Sequence, residues 1–143
     1  MKCQTIIDKN REEEVLIYVH KKTAFSEEIE NFVMETSTEL IGYSDKIALK
    51  ISLSEIFSIV VEDNKVYAIT QNAKLRMKQR LYVLEAMLGN GFVKINQSCI
   101  VNIRKIERFD ASFAGALSVT LKNGYKDYVS RRQLKTVKER IGL

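Results

Sequence analysis

Proline is absent from this 143-residue chain, where an average usage of ~5% would supply roughly seven. That excludes a proline-rich linker or a polyproline ligand segment. Cysteine is scarce: Cys3 and Cys99 are the only two, and their separation fits no metal or redox motif. So sparse a pair reads as two reduced, small apolar side chains of a cytoplasmic protein, with a redox-sensitive thiol at Cys99 as the alternative. Histidine occurs once, His20, inside an apolar run where a structural role outweighs a catalytic one. No zinc-protease, paired-cysteine, dinucleotide, phosphate-loop or nucleophile-elbow pattern is present. Nothing therefore argues for an enzyme, a metal or a cofactor. The N-terminus lacks the apolar core of a secretory signal. The longest uncharged run, residues 111–121, falls far short of a membrane span.

What remains is ordinary globular material, 45% hydrophobic and 29% charged. The length suits one domain, or one domain with a small appendage. The net charge of +5 hides a division along the chain. Residues 1–45 carry five basic and ten acidic side chains, a net −5, and residues 46–73 are neutral. Residues 74–143 carry fifteen basic and five acidic side chains, a net +10. Such a split suggests one half facing a polyanion and another with a separate task.

Hydrophobic patterning predicts two strands over residues 2–7 and 15–20, joined by a charged turn over 8–14. A helix is expected over 26–41, capped by Ser26, striped by Ile29, Phe32, Val33 and Leu40, and stopped by Gly42. Residues 1–45 would then form a small acidic β-β-α unit. Short strands follow. Ile47, Leu49, Ile51 and Leu53 alternate, and residues 57–61 and 66–70 flank a turn as a hairpin. A helix carries Leu81, Leu84 and Leu88 and ends at Gly89. Further strands are expected at 92–95, 99–103, 106–109 and 117–121, then a two-residue turn at Asn123 and Gly124 and a strand at 125–129. A last helix would start at Ser130, with Gln133 completing a capping box and Val129 and Leu134 a hydrophobic staple.

Polar and basic residues gather where strands of the basic half end. Lys94 precedes Asn96, Gln97 and Ser98, a polar triplet between two apolar runs. Amides suit adenine edges, and Lys or Arg suit guanine edges or phosphates; a plain polar turn is the alternative. Arg131 and Arg132 would occupy the first two positions of the last helix, where cations oppose the helix dipole. A local rule broken beside an otherwise good cap marks a candidate functional position. The alternative is pairing with Glu107, Asp110 or Asp127.

Phe92, Lys94, Ser98, Val101, Asn102 and Ile106, with Ile51 and Ile56 before them and residues 121–124 and 129–131 after, resemble the ordered blocks of the LytTR-type DNA-binding domain. The resemblance covers roughly residues 46–143. It implies a mainly β, α+β fold of short strands in small stacked sheets with one or two helices, here following the β-β-α unit. It also implies recognition of double-stranded DNA by loops entering successive major grooves. Carried over, those loops hold Asn64 and Lys65, then Asn96 and Gln97, then Arg131 and Arg132, with Lys94 and Lys135 as further phosphate contacts. Ser98 and Asn102 read as mainly structural. The expected product is a cytoplasmic, homodimeric transcriptional regulator of bacterial type without a receiver domain. The layout is similar to stand-alone regulators found beside a small membrane-protein partner. Two rival readings stay open: an RNA or single-strand binder using Tyr125 and Tyr128, and a protein-interaction module acting through the acidic unit.

Overall fold

The computed structural model describes residues 2–111 and 115–143. Among these residues, ten strands and three α-helices follow residue 22. The first helix, α1 (Ala24–Ser37), starts at Thr23, whose hydroxyl accepts from the Ser26 N–H at 3.2 Å while the Ser26 hydroxyl accepts from the Thr23 N–H at 3.0 Å. Ser26 thus completes a capping box three residues inside the cap rather than forming the cap itself. The helix stops at Ser37, short of the expected residue 41, because Leu40 is claimed by a strand.

That strand, β1 (Glu39–Ser44), pairs with β2 (Ile47–Ser52) through a tight turn with Asp45 at φ 52°. Leu40 faces Ile51 in the ladder and both are buried. Gly42 is therefore not a helix stop. It sits mid-strand, where a Cβ would lie 2.8 Å from the Leu75 Cβ, so close passage of the backbone excludes any side chain. Residue 45, the expected end of the acidic unit, falls in this hairpin. Residues 2–22 form neither of the two predicted strands. An apolar run makes a strand only where a neighbouring ladder and a covered face exist, and nearly every residue here is exposed.

The body continues through β3 (Ser58–Glu62), β4 (Lys65–Ile69), β5 (Lys74–Met77), α2 (Leu81–Leu88), β6 (Phe92–Asn96), β7 (Cys99–Asn102), β8 (Ile106–Ala111), β9 (Leu117–Leu121), β10 (Lys126–Tyr128) and α3 (Leu134–Ile141). Seven strands form one antiparallel sheet in the order β2-β1-β5-β4-β3-β7-β6, and the other three form a second in the order β10-β9-β8. Strand alternation gives the large sheet two greasy faces. Ile59 and Ile100, paired across β3 and β7, turn toward Leu81, Leu84 and Leu88 of α2. Val60, Cys99 and Val101 turn the other way, onto Val119 and Leu121 of β9 and Val137 of α3. The result is a helix, a sheet, then a small sheet with a helix, in line with the short-stranded stacked sheets that the resemblance implied.

Asn102 is buried at the strand end. Its amide donates to the Ile56 carbonyl at 2.9 Å and accepts from the Arg104 N–H at 3.1 Å, the structural role expected of it. The turn after β9 is one residue longer than predicted. The Leu121 N–H reaches the Tyr125 carbonyl, and Gly124, at φ 88°, closes a three-residue loop.

Candidate nucleic-acid interface

Three turns meet at one end of the body. The first joins β3 to β4 through Asp63 and Asn64, at φ 49° and 60°, the paired left-handed geometry of a tight hairpin turn. Glu62 and Lys65 flank it, and both Asn64 and Lys65 are exposed. The second, Gln97 and Ser98, joins β6 to β7. The third, residues 131–133, leads into α3. Backbone bonds stitch them together. The Val61 N–H donates to the Ser98 carbonyl at 2.8 Å, tying the first turn to the second. The Ser130 N–H donates to the Ile95 carbonyl at 2.8 Å, tying the third to the second. The Asn96 amide adds to this tie by donating to the Tyr128 carbonyl at 2.9 Å while accepting from the Ser98 N–H at 2.9 Å.

Asn96 is thus largely occupied inside the protein, whereas Gln97 projects. Among the described residues no hydrogen bond or ion pair engages the side chains of Gln97, Arg131, Arg132 or Lys135, and all four are exposed. The arginines are not the first two residues of a helix. The α3 helix begins at Leu134, with Gln133 as its cap and no side-chain capping bond, so the predicted box with Ser130 does not form. Ser130 is held to β6 by its N–H, and the Gln133 N–H closes a turn onto the Ser130 carbonyl at 3.0 Å, so helical geometry starts three residues late. The staple residues do share a core cluster, Val129 buried and Leu134 packed against it.

The structural alternative for the arginines is not realised among the described residues. Asp110 binds Arg108 at 3.1 Å, and Asp127 accepts from the Tyr125 hydroxyl at 3.0 Å. Two guanidiniums without carboxylate partners, on a turn tied by the Ser130–Ile95 bond to the strand that leads into Gln97, offer positive charge to an anionic ligand. Lys94 does not join them. It lies on the α2 side of the sheet, 3.9 Å from the Glu85 carboxylate, with its side chain only 26% exposed.

Beneath the turns, burial pushes the Cys99 thiol up to about 12, helped by the Asp127 charge. A thiol so held is protonated and unreactive. Burial, then Cys99 and Asp127, push the Tyr125 phenol upward as well. Tyr125 is partly buried against the second core cluster and donates its hydroxyl to Asp127 at 3.0 Å, which places it in the packing under the site. Tyr128 is 59% exposed, with the Lys126 ammonium 6.0 Å from its ring centre. Sequence reasoning passed over Lys126, although alternation along β10 puts residues 126 and 128 on one face. Phe92 is buried and Phe109 packs against the core.

A second polar contact docks α1. The Arg104 guanidinium reaches the Glu35 carboxylate at 2.8 Å and the Glu28 carbonyl at 2.9 Å, and lies 5.2 Å from the Phe32 ring centre. Glu35 is 4% exposed, and its Oε1 lies where a Cβ on Gly91 would collide at 1.6 Å. No sequence motif marked this pair, which joins residues 69 positions apart.

The profile of the LytTr DNA-binding domain matches residues 46–142. The chain belongs to the LytTR family. The whole of it is 36% identical to 99% of an uncharacterized HTH-type transcriptional regulator of Staphylococcus aureus strain N315, and equally to its counterpart in strain NCTC 8325 / PS 47. A solved LytTr DNA-binding domain from Bacillus cereus superposes with a TM-score of 0.71 at 18% identity, covering 75% of this chain and 99% of that one. The LytTR family is a DNA-binding rather than an enzymatic one, and its fold here is the mostly β architecture expected. Among the described residues no two consecutive helices form a helix-turn-helix, since five strands separate α2 from α3. No described helix is long and apolar enough to cross a membrane.

Proposed function

We propose that this LytTR protein is a sequence-specific, double-stranded DNA-binding transcriptional regulator that sets its three joined turns into successive major grooves. The convergence of those turns, with Gln97, Arg131 and Arg132 exposed and unpaired, supports this reading best. B-DNA's major groove is ~12 Å wide and admits protruding protein elements, and its base edges present a distinct pattern for each pair. Gln97 is suited to an adenine edge, and Arg131 and Arg132 to a guanine edge or phosphates. Lys65 and Lys135 flank them as phosphate contacts, and Asn64 shapes the first turn. Asn96 orients the second turn and has limited capacity left for a base. Lys94, 3.9 Å from the Glu85 carboxylate and largely covered, is less available to a phosphate.

In this reading residues 46–143 bind DNA and residues 1–45 carry a second task, the pairing of two copies on two half-sites. Selection of preferred duplexes from a randomised pool tests base reading. Wild type should return a defined site, and Gln97→Ala should relax it at one position. An unchanged site would remove Gln97 from base reading. Competition with single-stranded DNA and RNA tests the substrate: duplex should displace the probe far better than either, and preference for a single strand would overturn the proposal.

A further inference from the structure

The large sheet has two edges, and the chain treats them differently. Along β6 the edge is covered. Ser130 donates to the Ile95 carbonyl at 2.8 Å, and the Arg140 guanidinium caps the Phe92 carbonyl at 2.9 Å, so α3 and its lead-in lie against it. Along β2 the edge is open. Its strand neighbour is β1 alone, no described segment hydrogen-bonds to its outer side, and residues 47–50 are all exposed. Ile47 and Leu49 are 63% and 41% exposed, and they continue the stripe that Ile51 buries. An open edge with apolar side chains is a template for another strand.

The same chain carries a strand-length apolar run without a ladder. Residues 15–20 are a continuous apolar run of strand length. Val15, Leu16, Tyr18 and Val19 are exposed, as are Ile6 and Ile7. The N-terminal stretch bends at residues 8–11, where the Asp8 carboxylate accepts from the Asn10 N–H at 3.0 Å, yet no ladder forms across the bend. Charge matches too. Glu12, Glu13 and Glu14 precede the run, while Lys46 lies in the turn before β2 and Lys50 on β2 itself, 3.9 Å from the Glu39 carboxylate of β1.

We propose that residues 15–20 of one copy add as a strand to β2 of a second copy, and reciprocally, closing a homodimer. Strand addition satisfies the edge groups and covers Ile47, Leu49 and Leu16 together. Reciprocal exchange uses both arms and both β2 edges, so assembly closes at two. A second copy is favoured over another protein because one chain supplies both complementary parts. Within one copy no ladder joins those parts among the described residues. The proposal deepens the half-site reading above, but its test needs no DNA.

Sedimentation of the full chain, without DNA, should show a monomer–dimer equilibrium. Leu16→Asp in the arm and Ala48→Pro on the edge should each raise the dissociation constant by about tenfold or more. Both positions are exposed, so the folded body should keep its circular dichroism. Location is read by cross-linking. One chain carries Cys3→Ser with Tyr18→Cys, another Cys3→Ser with Lys50→Cys, and the two are mixed with a short bismaleimide. Cys99 is buried and stays silent. A linked heterodimer is the expected product. A monomer at all concentrations, a dimer indifferent to both substitutions, or no interchain link would each overturn the proposal. Failure of DNA binding in a chain that still dimerises would count only against the DNA reading.

Discussion

Two stretches of this chain have nearly the same chemical pattern and opposite fates. Residues 99–102 read Cys-Ile-Val-Asn and residues 15–20 read Val-Leu-Ile-Tyr-Val-His, each an apolar run closed by one polar residue. The first is β7, paired on both sides and buried on both faces, with Ile100 toward α2 and Val101 toward β9. The second lies exposed without a ladder. The difference is one of partners, not of propensity. Such a run specifies a strand's need for a neighbour. In β7 the body supplies that neighbour; for residues 15–20 we assign it to another copy.

Substitutions in the body should have the largest effects. Arg104→Ala would leave Glu35 buried without its cation, costing about 3 kcal/mol in urea denaturation, a value toward the low end for broken buried pairs because Arg104 is partly exposed. A loss under 1 kcal/mol would mean that water already shields the carboxylate. Asn102→Ala follows at about 2 kcal/mol, since the buried Ile56 carbonyl would lose its donor.

The Glu35 carboxyl also confers a pH dependence. Burial holds it above its ordinary 4.5, with Arg104 pulling it partly back. The folded chain keeps that proton to higher pH than the unfolded chain does. The resulting stability is present below the ordinary carboxylate value and is lost as pH rises through the raised one. Glu35→Gln should flatten the stability curve in that window; an unchanged curve would assign the slope to other groups.

The comparison is sharpened by the smallest effect. Tyr18→Ser, at a side chain 89% exposed, should change the stability of dilute protein by less than about 0.5 kcal/mol. A drop of 2 kcal/mol would show that the arm packs on its own body.

The body was readable from sequence because local signals and global packing agree there. Turn residues at 62–65 and 123–124, the stripe of Leu81, Leu84 and Leu88, and the alternation from residue 47 onward all point to the elements observed. The first 45 residues were misread because tertiary demand overrode local preference. Leu40 suits a helix stripe, yet its burial opposite Ile51 draws residues 39–44 into the sheet. Gly42 looks like a terminator but marks close passage against Leu75. In the candidate site, the polar triplet drew attention to Gln97 and two cations at an expected helix start drew attention to Arg131 and Arg132. That Asn96 would turn inward could not, because its partner, the Tyr128 carbonyl, lies 32 residues away. The shift of α3 to Leu134 likewise follows from the long-range bond between Ser130 and Ile95, which no helix-capping rule contains.

The measurement that tests the central claim most directly is a duplex titration by fluorescence anisotropy at several salt concentrations, with wild type, Lys94→Ala and Arg132→Ala. The account predicts steep, salt-dependent binding. Arg132→Ala should weaken it and lower the log–log slope by about 0.9 if its contact is a phosphate. Lys94→Ala, at a side chain already engaged with Glu85, should change the slope less. Absence of duplex binding at low salt by folded protein, or binding indifferent to Arg132→Ala, would contradict the assignment of the three joined turns as the DNA-reading surface.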